Sequence, residues 1–240
     1  MPNRKAIFLD FNIKAQPDAV TCGPTCLYAL YQHYGESISL KSVINEVKSL
    51  KHGGTLAVML GTHALQKGYK AHIYTYNLNV FDPSWFKYSS KKMIEVLKKQ
   101  MRAKKSRKKL RVTSEAYINF LEAGGKFHFD ELDDFLIKKY LNQSMPILTG
   151  LSATYLYGSV REHPITNRHD SIRGEPVGHF VVINGYDDRK NCVYLADPMN
   201  PNPLKSQYYN VTFDRLINSI MLGIVTHDAN VLIIEPKKTN

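Results

Sequence analysis

Gln16-Pro-Asp-Ala-Val-Thr-Cys22-Gly-Pro-Thr-Cys26-Leu-Tyr-Ala-Leu-Tyr-Gln-His-Tyr34-Gly35 reads as a loop that runs into an apolar helix, with a cysteine near the join. Cys26, Leu27, Leu30 and Tyr31 recur at helical spacing, which predicts a helix from Cys26 to Tyr34 with one face on a core. Gly35 ends it. Cys22 is then placed in the loop directly before that helix, and Pro24 suits a first turn, where a missing N–H does no harm. The positive end of a helix dipole favours an anionic sulfur at such a place. Gln16, six residues upstream, carries an amide that can donate to an oxyanion developing near the sulfur.

A nucleophilic thiolate needs a base, and the base needs an acceptor that orients it. His179 opens a strand-like run that ends at Tyr186, and a second run, Cys192 to Ala196, is followed by Asp197-Pro198. Asp187 to Asn191 reads as a hairpin-type turn between the two. If these strands pair, His179 and Asp197 fall near the same end of the hairpin, and Asp197 can accept from the imidazole. Asn184 is the competing orienter, but it lies five residues after His179 on the same strand and points away from it.

Outward from these runs, Lys5 to Lys14 suggests a short strand or extended arm. Ser39 is expected to cap a helix over 40–50, Thr55 to cap one running to Gln66 that Gly68 stops, and Asp130 to cap another with Leu132, Phe135, Leu136 and Tyr140 inward. Asp82-Pro83 opens a helical region that continues to about Leu121. Residues 69–78, 145–156 and 230–235 look like strands, and Thr212 or Asp214 starts a short helix before the last of them. Helices first and strands later predict a segregated α+β domain over 1–240, with a basic helical insertion at about 82–124.

These residues resemble a known family. Gln16-x5-Cys22-Gly-Pro-Thr-Cys26 with its helix resembles the opening motif of the C39-like cysteine peptidases, a branch of the papain-like superfamily. Gly178-His179-Phe-Val-Val-Ile-x-Gly185, followed by Ala196-Asp197-Pro198, resembles that family's His and Asp motifs. The resemblance implies a papain-like α+β fold, a peptide or protein substrate, and hydrolysis of an amide bond without a cofactor. Residue by residue it implies Cys22 as nucleophile, His179 as general base, Asp197 as orienting carboxylate and Gln16 as oxyanion donor. Gly23 and Gly178, beside the candidate nucleophile and base, are expected to border the substrate. The best-known members are leader peptidases fused to transporters, whereas this chain has no run long and apolar enough to span a membrane. Standalone relatives occur alongside ATP-grasp ligases and include acyl-transfer proteins, which implies a functional link to such a ligase. Acyl or peptidyl transfer by the same cysteine, and a non-catalytic binding role, are the alternatives.

Composition bounds the partners. The 240 residues carry a net charge of +11, with 43% hydrophobic residues, which excludes a disordered or collagen-like chain. Eleven of the bases and one acid, Glu95, lie between Lys91 and Arg111, and the rest of the chain is nearly neutral. That segment is expected to be a solvated helical insertion that can offer a face to an anionic partner, nucleic acid, membrane or acidic peptide, although Lys104 to Lys109 has no interleaved aromatics for stacking on bases. Three cysteines and no signal-peptide h-region point to a reducing cytoplasm. Cys26 and Cys192 read as core. His33, His63, His72 and His227 read as packing or surface residues, and His52, His163 and His169 as weaker site candidates. The stretch Tyr157 to Val177, poor in apolar residues and directly before Gly178-His179, is expected to border the cleft as a lid or a surface excursion.

Overall fold

The computed structural model describes residues 5–51, 53–226 and 228–236. His52 and His227 lie outside them. Eight strands, β1 (Ala6–Phe8), β2 (Lys70–Thr75), β3 (Lys126–His128), β4 (Ile147–Ser152), β5 (Gly178–Asp187), β6 (Cys192–Ala196), β7 (Tyr208–Thr212) and β8 (Asn230–Glu235), form one sheet. Its order is β3-β2-β8-β4-β5-β6-β7, and β1 pairs with the far end of β5, at Gly185 to Asp187. The pairs are antiparallel except β2 with β3.

Side-chain alternation along the central strands sets the layers. Leu148, Phe180, Val182, Leu232 and Ile234 face one apolar cluster, while Ile147, Leu151, Val181, Ile183, Val231 and Ile233 face another. Helices α1 (Cys22–His33), α2 (Leu40–Glu46), α3 (Ala57–Gln66), α4 (Ser90–Ala103) and α5 (Lys108–Glu122) cover the first face. Helices α6 (Asp134–Leu141), α7 (Ala153–Tyr157) and α8 (Phe213–Leu222) cover the second. Both faces of β4, β5 and β8 are therefore buried, which is why these strands read as nearly continuous apolar runs. The α+β class holds, with three strands supplied by the first 128 residues.

Several expected boundaries move, each for a local reason. α1 begins at Cys22, four residues early, because Thr25 N–H already donates to Thr21 O at 3.0 Å and Pro24 needs no donor. Thr55 does not cap α3, since its hydroxyl donates to Lys48 O at 3.0 Å. Asp133, not Asp130, caps α6 by accepting from Leu136 N–H at 2.8 Å. Phe135 consequently faces out and is 73% exposed. The run 145–156 is a strand only to Ser152, whose side chain caps the short helix α7. The basic segment forms two helices broken at 104–107, with Met93, Leu97 and Leu110 in the core and the cations outward. Asp187 Oδ1 accepts from Arg189 N–H at 2.8 Å to close the β5–β6 turn as expected.

The donor at the start of α3 is satisfied from the far end of the chain. Ala57 N–H donates to Asp228 Oδ2 at 2.8 Å, and the Asn230 amide donates to Oδ1. Asp228 is buried, and burial pushes its carboxyl up to about 7 although both hydrogen bonds oppose the shift. A carboxyl raised from its unfolded value near 4 stabilises the fold fully below that value, and loses the contribution as pH rises through about 7. We predict that Asp228→Asn removes this dependence: its stability relative to wild type should rise from pH 5 to pH 8, by up to roughly 3 kcal/mol. Parallel pH–stability curves in chemical denaturation would contradict this.

Candidate active site

Three chain segments meet at one end of the central strands: the N-terminus of α1, the start of β5 and the exit of β6. α1 is docked there by close packing on β5. Cys26 Sγ lies 3.4 Å from Phe180 O, and Gly23 is buried where a Cβ would stand 2.5 Å from Thr55 Cγ2, 3.1 Å from Leu60 and 3.2 Å from Phe180. This approach carries half-buried Cys22, the first residue of α1, into hydrogen-bonding reach of the His179 imidazole. The loop before α1 is tied to the same corner, because Gln16 N–H donates to Pro198 O at 2.8 Å.

His179 Nε2 and Asp197 Oδ1 are 2.8 Å apart, and both residues are buried. That leaves Nδ1 as the ring nitrogen for the Cys22 side. Burial alone would lower the imidazole, yet the hydrogen bonds to Asp197 and Cys22 outweigh it and push His179 up to about 10. Burial would likewise raise the Asp197 carboxyl, but His179 and two tyrosine hydroxyls hold it below its ordinary value. Both shifts favour an imidazolium beside a carboxylate.

The remaining expected residues are placed as follows. Gln16 Nε2 donates to Asp18 O at 2.7 Å, and its buried Oε1 has no partner among the described residues. Gly178 is exposed at the start of β5, with Thr226 Oγ1 2.9 Å from where a Cβ would be. Asn184 sits in the β5 bulge and donates to Leu9 O at 3.4 Å, away from His179. Cys26 and Cys192 are buried, and all three cysteines are free thiols.

Two residues of the site were not anticipated. Tyr157, the last residue of α7, and Tyr209 in β7 donate their hydroxyls to Asp197 Oδ2 at 2.6 and 2.7 Å. The one signal for either was Tyr157's place at the head of the long excursion before His179. That excursion is braced internally: Glu162 bridges both His169 and Glu175, and Arg161 Nη2 donates to Ser171 O at 2.5 Å. His163 and His169 serve its turns. Ile165 and Ile172 stand exposed on it, at 86% and 84%. His63 is buried between Tyr31 and Glu46, while His72 lies against His128 and Glu235, so both are packing residues. Among the described residues no group of three or more His, Cys, Asp or Glu side chains is placed to hold a metal ion, and no helix is long and apolar enough to cross a membrane.

A cysteine at a helix N-terminus thus faces a buried His–Asp pair where β5 begins and β6 ends. The Peptidase_C39 like family model matches residues 112–219, a span that holds His179 and Asp197 but not Cys22. A C39-like peptidase from Bacillus anthracis has a similar fold, with a TM-score of 0.51 and 13% identity over 98% of this chain and 100% of that one. Xylellain, a cysteine protease from Xylella fastidiosa, aligns with 15% identity over 96% of this chain and 85% of that one, at a TM-score of 0.44. No curated protein matches the sequence.

The packing at Gly23 yields a direct test. Gly23→Ala should destabilise the fold by about 1–3 kcal/mol through overpacking. Thr55→Ser, which removes the methyl at 2.5 Å and keeps the hydroxyl on Lys48 O, should recover most of that loss in urea melts of the double variant. A double variant no more stable than Gly23→Ala would place the strain elsewhere.

Proposed function

We propose that this chain is a cysteine peptidase that cleaves a peptide amide bond through Cys22, His179 and Asp197. The observation that carries the reading is the buried His179–Asp197 pair, at 2.8 Å, with its imidazole beside a cysteine at a helix N-terminus. The Cys22 sulfur, its proton passed to His179, attacks the scissile carbonyl carbon. The carbonyl oxygen takes up the negative charge and is held by the Cys22 N–H and by the second hydrogen of the Gln16 amide. His179 then protonates the leaving amine as the C–N bond breaks, which leaves a thioester. Water, losing a proton to His179, hydrolyses the thioester and restores the thiol. Asp197 keeps the imidazole in one orientation throughout. Gly23 and Gly178 border the bound peptide.

The whole of 1–240 is taken as one C39-like domain, with α4 and α5 as an insertion. Supporting this, Leu97 and Phe120 of these helices share a core with Leu27 and Leu30 of α1. The cations of Lys91 to Arg111 stay on the outer surface of the insertion and offer a face to an anionic partner.

Iodoacetamide should alkylate Cys22 and spare the buried Cys26 and Cys192. His179→Ala should slow that reaction by about 100-fold or more. Cys22→Ser should abolish cleavage of a peptide substrate. Equal labelling of all three thiols, indifferent to His179, would contradict the reading. Product analysis with a competing amine separates hydrolysis from acyl transfer: the free acid is the expected product, and its replacement by the amide would favour a transferase.

A further inference from the structure

Asp197 is more heavily hydrogen-bonded than the orientation of one imidazole requires. Its carboxylate has no exposed surface and accepts four donors, two on each oxygen. Oδ1 takes His179 Nε2 at 2.8 Å and the Met199 N–H at 2.9 Å. Oδ2 takes the Tyr157 and Tyr209 hydroxyls at 2.6 and 2.7 Å. Two oxygens offer about four lone-pair positions, so the group is saturated. The tyrosines come from α7 and β7, on either side of His179 and Asp197 in sequence, and converge on a single oxygen.

Phenylalanine would fill the same space at either position. What the hydroxyls add is charge stabilisation in a place without water. A buried carboxylate that loses its donors either takes up a proton or turns to find others, and in both cases its pull on the imidazole changes. We propose that Tyr157 and Tyr209 are paired positioning residues that hold Asp197 ionised and immobile, so that His179 keeps the protonation and orientation Cys22 needs. The inference rests on the reading of Cys22, His179 and Asp197 as a triad.

The pairing has a quantitative signature. With one tyrosine replaced, the other still donates to Oδ2, whereas with both replaced Oδ2 is buried without a donor. The effects should therefore exceed additivity, as expected of groups sharing one partner. The test is the rate of Cys22 alkylation by iodoacetamide against pH in wild type, Tyr157→Phe, Tyr209→Phe, the double variant and His179→Ala. Each single variant should lose up to about tenfold, and the double variant more than the product of the two. Its pH profile should move to higher pH, toward that of His179→Ala, since the imidazolium no longer assists ionisation of the sulfur.

A double variant that keeps the wild-type pH profile, or whose loss equals the product of the single losses with the profile unmoved, would reduce the tyrosines to packing and overturn the proposal. Should the double variant lose its near-ultraviolet dichroism, the single variants decide: unshifted pH profiles in both overturn it, and shifts toward His179→Ala uphold it. Wild-type alkylation that is insensitive to His179→Ala would instead overturn the triad reading beneath it.

Discussion

An ionised carboxylate with no access to water must be supplied with donors by the protein, and around Asp197 that demand organises the site. The donors come from β5 through His179, from the segment after β6 through Met199 N–H, from α7 through Tyr157 and from β7 through Tyr209. Each of these elements must be in register for the charge to be tolerated. The β6–β7 pairing, with Ala196 opposite Tyr208, brings Tyr209 beside the exit of β6. The Ser152 cap on α7 and the packing of α7 under α8 bring Tyr157 in from the other side. The ion pair thus links the geometry of the site to the integrity of four separate pieces of secondary structure.

The sulfur reaches this pair by a different route. α1 lies on the opposite face of the sheet from α7, and its approach depends on small groups at its first turn. Gly23 has no side chain to separate the helix from Thr55, Leu60 and Phe180, and Cys26 faces the Phe180 carbonyl. Cys22 and His179 are therefore brought together by close packing, whereas His179 and Asp197 are held by charge. A methyl group at residue 23 and a missing hydroxyl at residue 157 or 209 impair the site by unrelated physics. One costs stability; the other alters proton affinity.

Local and long-range features differed in how well the sequence revealed them. That Cys22, His179 and Asp197 lie near one another was legible because each sits in a short stretch with its own pattern: an apolar helix behind the cysteine, and two apolar runs joined by a tight turn behind the other pair. The fold class was legible for the same reason. Helix starts set by distant residues were not. Thr55 looks like a cap, but Asp228, 171 residues away, receives the Ala57 N–H. Tyr157 and Tyr209 belong to elements with weak signals: α7 was hidden in a longer apolar run, and β7 is an edge strand whose residues alternate between exposed and half-buried. Fifteen tyrosines gave no reason to prefer those two. Gly23 was legible as a neighbour of Cys22, but its packing role depends on Thr55, which only the tertiary structure brings near.

The chemistry of the site turns on whether His179 is an imidazolium sustained by Asp197. An NMR titration of the His179 ring nitrogens in the wild-type protein measures this directly. Both nitrogens should stay protonated through neutral pH, and the ring should lose its proton only near pH 10. A ring that titrates near 6.5, as a solvent-exposed histidine does, would contradict it.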